Sequence, residues 1–111
     1  TSLCYVDDVV DGLIKLMKSD LAEAVNLGSN VDTLLTAVAQ KIIAMTNSTS
    51  QIIYQGALEF ITPLPLPDID LAKVSLGWYP LTTLDKGLEK TLEYTRANKR
   101  VLNELANGEA A

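Results

Sequence analysis

Three prolines stand within five residues, at Pro63, Pro65 and Pro67. Each lacks an amide donor and biases the residue before it toward extended backbone, so neither a helix nor an interior strand can run through this stretch. The segment Phe60-Ile61-Thr62-Pro63-Leu64-Pro65-Leu66-Pro67 is therefore expected to be a loop that separates two structured parts, and loops of this kind often carry function. The 111 residues suffice for one domain with a single core.

On the N-terminal side, Val6, Val9, Val10, Leu13, Ile14 and Met17 recur at the spacing of one helix face. This predicts a helix over about 6–18, with Asp7 and Asp8 in its first turn and Lys15 and Lys18 in its last, as the helix dipole favours. The run Ala24-Val25-Asn26-Leu27, closed by Gly28-Ser29-Asn30, reads as a short buried strand. Asp32 is placed to cap a second helix built on Leu34, Leu35, Val38, Ala39, Ile42 and Ile43, which the polar cluster 46–50 ends. Gln51-Ile52-Ile53-Tyr54-Gln55 is β-branched and aromatic and suits a second strand.

Beyond the prolines, Asp68 or Asp70 can open a short helix that Gly77 stops before Trp78-Tyr79-Pro80. Thr82 or Thr83 then caps a long final helix whose buried stripe is Leu84, Leu88, Leu92 and Thr95, continuing to Val101, Leu102 and Leu105. Gly87 inside that helix costs about 1 kcal/mol relative to Ala and implies close packing. The tail over 97–111 is expected to fray. The pattern predicts an α/β lobe with about four helices and two short strands, which could pair in parallel through the intervening helix. A two-stranded sheet is marginal alone, so something is expected to cover it.

Several function classes are excluded. There is no histidine and only one cysteine, Cys4, which removes His-dependent triads, internal disulfides and four-cysteine metal sites. A net charge of −5 argues against a nucleic-acid binder, and no apolar run reaches the roughly 18 residues of a membrane span. A soluble, cytoplasmic chain is expected. The basic residues Lys86, Lys90, Arg96, Lys99 and Arg100 alternate with Asp85, Glu89, Glu93 and Glu104, which reads as a solvated helix face.

The six glycines stand apart from one another, so the Gly-rich turn that lets amides approach a pyrophosphate is absent. No tyrosine is followed four residues later by a lysine, so a phenol activated by a neighbouring ammonium is missing too. Asp7 and Asp8 are adjacent on a helix and point about 100° apart, which suits helix-start stabilisation better than paired acid/base work. Cys4, flanked by Leu3 and Tyr5, reads as an inert and at least partly buried thiol, and Trp78 as a packing anchor.

Read together, Cys4-Tyr5-Val6-Asp7-Asp8-Val9-Val10-Asp11-Gly12, Val25-Asn26-Leu27-Gly28, Pro67-Asp68-Ile69 with Ala72-Lys73, and Leu76-Gly77-Trp78-Tyr79-Pro80 leading to Leu84-Asp85-Lys86-Gly87-Leu88 form a familiar series. In this order they resemble the C-terminal, substrate-side region of NAD-dependent epimerase/dehydratases, the extended short-chain dehydrogenases, and among these the UDP-glucuronate decarboxylases. The resemblance covers about residues 1–96. It implies an intact enzyme with an N-terminal Rossmann domain that binds NAD and transiently oxidises a nucleotide sugar. It further implies that this region supplies the smaller substrate-binding lobe, with Tyr5, Asn26 and Leu66 near the nucleotide sugar.

The family's glycine-rich NAD motif and catalytic Tyr-x-x-x-Lys would precede Thr1. No catalytic, cofactor-binding or metal residue is therefore assigned in this chain, and a piece of a longer protein, inactive alone, is expected. Relatives carry an arginine before the Cys-Tyr-Val-Asp-Asp segment and basic residues before Pro-Asp-Ile, whose donors match phosphate oxygens. Here those places hold Thr1, Ser2 and the stretch 63–66. The apolar run Leu58, Phe60, Ile61, Leu64 and Leu66 supports an alternative, a non-enzymatic module that self-associates into a homodimer or binds a partner.

Overall fold

The computed structural model describes residues 1–109, and the last two residues of the expected tail lie outside them. Five helices follow one another: α1 (Val6–Met17), α2 (Leu35–Thr46), α3 (Asp70–Leu76), α4 (Leu84–Ala97) and α5 (Lys99–Glu109). No strand forms among the described residues, which overturns the α/β expectation and its parallel pair. The physical reason is that extended residues become a strand only when a ladder partner satisfies their donors and acceptors. Segment 24–27 instead sets Val25 and Leu27 against the core by side chain alone, while Ile53 and Tyr54 of 51–55 are exposed. Among the described residues no helix is long and apolar enough to cross a membrane.

The core is small. Ile69, Ala72 and Trp78 are fully buried, with Cys4, Val25, Leu27 and Leu76 packed around them. Trp78 joins α1 to α3: its indole Nε1 donates to the Asp8 carbonyl oxygen at 2.8 Å. The Asp8 carboxylate then accepts from the Thr82 amide at 2.9 Å and the Thr82 hydroxyl at 3.1 Å. Both ends of the 78–82 loop are thus tied to one turn of α1. Gly12 is required at this junction, because a Cβ there would lie 2.8 Å from a Leu27 methyl and 2.9 Å from the indole nitrogen.

Helix ends follow local chemistry in most places. Asn47 and Gly77 both adopt the left-handed conformation that closes α2 and α3, at φ 51° and 59°. Thr83 caps α4 by accepting from the Lys86 amide at 3.3 Å. Asp32 does not cap α2; its carboxylate pairs with the Thr1 ammonium, and the helix opens from Leu34 without a side-chain bond. The single long final helix is two, interrupted at Asn98, whose side chain donates to the Tyr94 carbonyl oxygen at 2.9 Å and competes with helical continuation.

α1 is oriented against the simplest reading of its periodicity. Gly12 is its buried residue, while Val6, Val10, Leu13, Ile14 and Met17 lie exposed. The apolar face faces solvent, and the narrow edge holding Gly12 faces the molecule. This follows from Trp78, whose bulk fits only where the helix has no side chain.

Candidate functional site

The two residues near the proline loop meet at a seam between 24–28 and 66–68. Asn26 Nδ2 donates to the Asp68 carbonyl oxygen at 3.1 Å. Two residues on, Gly28 lies so close to Pro67 that a Cβ would stand 3.2 Å from the ring. Leu66, the next residue back, is 41% exposed at the edge of this seam. The Asp68 carboxylate accepts from the Asp70 amide at 2.9 Å, which turns the chain from the prolines into α3. The groups that touch across the seam are an amide, a peptide carbonyl and a pyrrolidine ring, with the Asp68 carboxylate beside them turned to the Asp70 amide. Asn26 keeps its Oδ1 acceptor and one N–H free for a ligand, a set that suits hydroxyls or a uracil-like edge better than a phosphate.

Tyr5 belongs to a different junction. Its ring lies over Gly87 of α4, where a Cβ would be 3.4 Å from the ring edge. The Lys90 ammonium sits 5.1 Å from the ring centroid, a cation–π geometry. The close helix–ring packing expected at Gly87 is therefore present, and Tyr5 is its partner. The structure thus joins Asn26 to Asp68, two residues beyond Leu66 in the chain, and sets Tyr5 at the α1–α4 contact.

A cavity of about 340 Å³ is walled by Leu3, Cys4, Asn30, Tyr79, Thr82 and Leu84 among others. The Cys4 thiol is raised above its ordinary pKa, first by burial and second by the Asp8 carboxylate, so it remains protonated and unreactive near neutrality. Thr82 is spent on Asp8 and Thr83 on its helix cap.

Sequence reasoning missed Asp8 and Gly12. The sequence marks Asp8 only as a helix-start charge, whereas its carboxylate also holds Thr82 seventy-four residues away. No local pattern signals such a pairing. Gly12, a lone glycine within a helical pattern, was the available sign of a close approach.

The donor set does not fit a dinucleotide. α1, α2, α3 and α4 open from Tyr5, Leu34, Ile69 and Thr83, none of them in a glycine turn, and the Lys86 amide at the start of α4 is already bonded.

Comparison with known proteins places the same residues in a wider context. UDP-glucuronic acid decarboxylase 1 of Danio rerio is 38% identical over 90 residues, 81% of this chain and 22% of that protein. Its Xenopus tropicalis counterpart is 36% identical over 92 residues, 83% of this chain and 22% of that protein. GDP-mannose 3,5-epimerase of Arabidopsis thaliana is 29% identical over 107 residues, 96% of this chain and 28% of that protein. No family model matches the chain. The chain therefore spans about a quarter of the length of these relatives.

Proposed function

Because the chain belongs with the UDP-glucuronic acid decarboxylases and related nucleotide-sugar epimerases, as a segment of that family, we propose that it is the substrate-side part of such an enzyme. In this reading it positions a nucleotide sugar and leaves the chemistry to NAD and catalytic groups carried elsewhere in the intact protein. The observation that carries the reading is the seam at Asn26, Gly28, Pro67 and Asp68. There Asn26, which the resemblance assigns to substrate, bonds to Asp68, and Gly28 meets Pro67, the chain neighbour of Leu66. The seam's amide and carbonyl, beside the Asp68 carboxylate, address the sugar or base rather than the diphosphate.

The chain alone is expected to turn over no nucleotide sugar and to leave NADH fluorescence unchanged. The test is an NMR titration of the labelled chain with UDP-glucuronic acid and, separately, UDP. Saturable shifts of the Asn26 side-chain amide and Leu66 methyls, weakened by Asn26→Ala, support the reading. Shifts spread without focus over the surface, or none, refute it.

A second reading is favoured by one observation. Leu58, Phe60, Ile61 and Leu64 are more than two-thirds exposed on a single loop. Contiguous apolar surface of this kind marks an interaction site, and self-association of the chain is the simplest use of it. Light scattering on the purified chain tests this directly.

A further inference from the structure

The seam that carries Asn26 has no ladder of its own, and the inference here rests on the substrate-side reading of that seam. Among the described residues no backbone–backbone hydrogen bond joins 24–28 to 66–70, and the bond across is the Asn26 side chain to the Asp68 carbonyl. Each segment alternates instead. Val25 and Leu27 are half-buried with Asn26 exposed between them, and Pro67 is half-buried and Ile69 buried with Asp68 exposed between them. This is the period of extended chain laid on a surface, with residues i and i+2 facing it and the residue between facing out. The surface is the cluster of Ile69, Ala72 and Trp78, against which Val25 and Leu27 pack. How Asn26 and Asp68 stand to one another is therefore set from beneath, by that cluster.

The cluster is in turn held by one residue of α1. Trp78, the only tryptophan of the chain, is fully buried, and its amide donates to the Ala72 carbonyl oxygen of α3 at 3.1 Å. Its indole Nε1 donates to the Asp8 carbonyl oxygen at 2.8 Å. That oxygen has two lone pairs, so it can hold the indole beside its helical bond, and Gly12, one turn on, leaves the room. Four residues beyond Trp78, Thr82 donates both its amide and its hydroxyl to the Asp8 carboxylate, bonds of the stronger, charge-assisted kind. The 78–82 loop is thus pinned at both ends to Asp8. Leu27, the neighbour of Asn26, meets the indole at the same bare point of α1.

We propose that Asp8 is a positioning residue for the substrate seam. Its carboxylate fixes Thr82, the loop fixes Trp78, and Trp78 supports the Val25 and Leu27 side chains that aim Asn26 at the sugar or base of a nucleotide sugar. Asp8 itself touches no ligand in this arrangement.

The experiment is NMR on the labelled full chain, first without ligand and then titrated with UDP-glucuronic acid, with circular dichroism to confirm folding. In the free chain Asp8→Ala shifts the Asn26 side-chain amide and the Trp78 indole N–H. Asn47→Ala, which strains the left-handed end of α2 outside the cluster, moves neither. In the titration Asp8→Ala raises the Kd by about fivefold, the worth of one ordinary hydrogen bond. Asp8→Asn, whose carboxamide oxygen still accepts, recovers most of that loss. Thr82→Val removes the hydroxyl bond and keeps the amide bond, so it raises the Kd by less and adds nothing in the Asp8→Ala background. Being the milder change, it carries the same comparison if Asp8→Ala unfolds. An Asn26 signal indifferent to Asp8→Ala and Thr82→Val, or one that responds equally to Asn47→Ala, overturns the positioning role and leaves the substrate reading standing. A wild-type chain that binds no UDP-glucuronic acid overturns the substrate reading and this inference with it.

Discussion

Replacing Gly12 with alanine sets two known magnitudes against each other. In an ordinary helix interior the change is favourable by about 1 kcal/mol, since alanine lowers the backbone entropy lost on folding. Here the new methyl would approach two Leu27 methyl carbons at 2.8 and 2.9 Å and the Trp78 indole nitrogen at 2.9 Å. Leu27 can yield by a rotamer change. Trp78 cannot, because it is fully buried and its Nε1 is bonded to the Asp8 carbonyl of the same helix. Overpacking against a fixed group costs about 1–3 kcal/mol, and three contacts below 3.0 Å place this case toward the upper end. The net expectation is a loss of about 1–2 kcal/mol. At about 2.1 cal/mol/K per residue, that lowers Tm by roughly 4–8 °C for a chain of this length.

The control is Gly87→Ala, whose methyl would meet the Tyr5 ring at 3.4 to 3.7 Å, ordinary contact. There the helix term stands alone, and stability is unchanged or raised by up to about 1 kcal/mol. Thermal and urea unfolding followed by circular dichroism measure both. If Gly12→Ala proves as stable as Gly87→Ala, the indole is not the rigid wall described and the argument for the α1–Trp78 junction fails.

Three further outcomes are expected. Asp8→Ala removes the acceptor of both Thr82 bonds and lowers stability by about 2 kcal/mol, the scale of a hydrogen bond to a charged group, while Asp8→Asn retains most of it; urea midpoints of the two variants decide this. Gly77→Ala forces a side chain into the left-handed region and costs about 1–2 kcal/mol, with Gly77→Asn falling between, read from the same titrations. Cys4, raised by burial and then by Asp8, reacts with iodoacetamide more slowly than a free thiol at every pH up to its raised value. Because the folded state holds this proton more tightly, its stabilising effect is complete below the ordinary thiol pKa and disappears as pH climbs through the raised one. Wild type minus Cys4→Ala, compared in urea at neutral and alkaline pH, isolates it; a difference that grows with pH contradicts the sign.

Features that depend on neighbours in the chain were legible without a structure. Periodicity located α1, α2, α3 and α4 because helical hydrogen bonds are local, and Gly77, Thr83 and the 46–50 cluster closed or opened helices by the conformations these residue types prefer. The series of short motifs likewise identified the family from the residues alone, and relatives of 36 to 38% identity agree with it.

What the sequence could not decide is whatever requires a distant partner. Segments 24–27 and 51–55 have strand composition, but a strand exists only with a ladder opposite it, and no such ladder forms among the described residues. The direction of α1 was evident from its charges, whereas the face it buries was not. That choice was made by Trp78, sixty-six residues beyond Gly12, whose indole fits only against the bare edge of the helix and turns the apolar stripe outward. Segments 26–28 and 67–68 similarly meet only through the Asp68 carbonyl and the Pro67 ring. Hydrophobic pattern states how much surface a helix must bury, and tertiary packing decides against what.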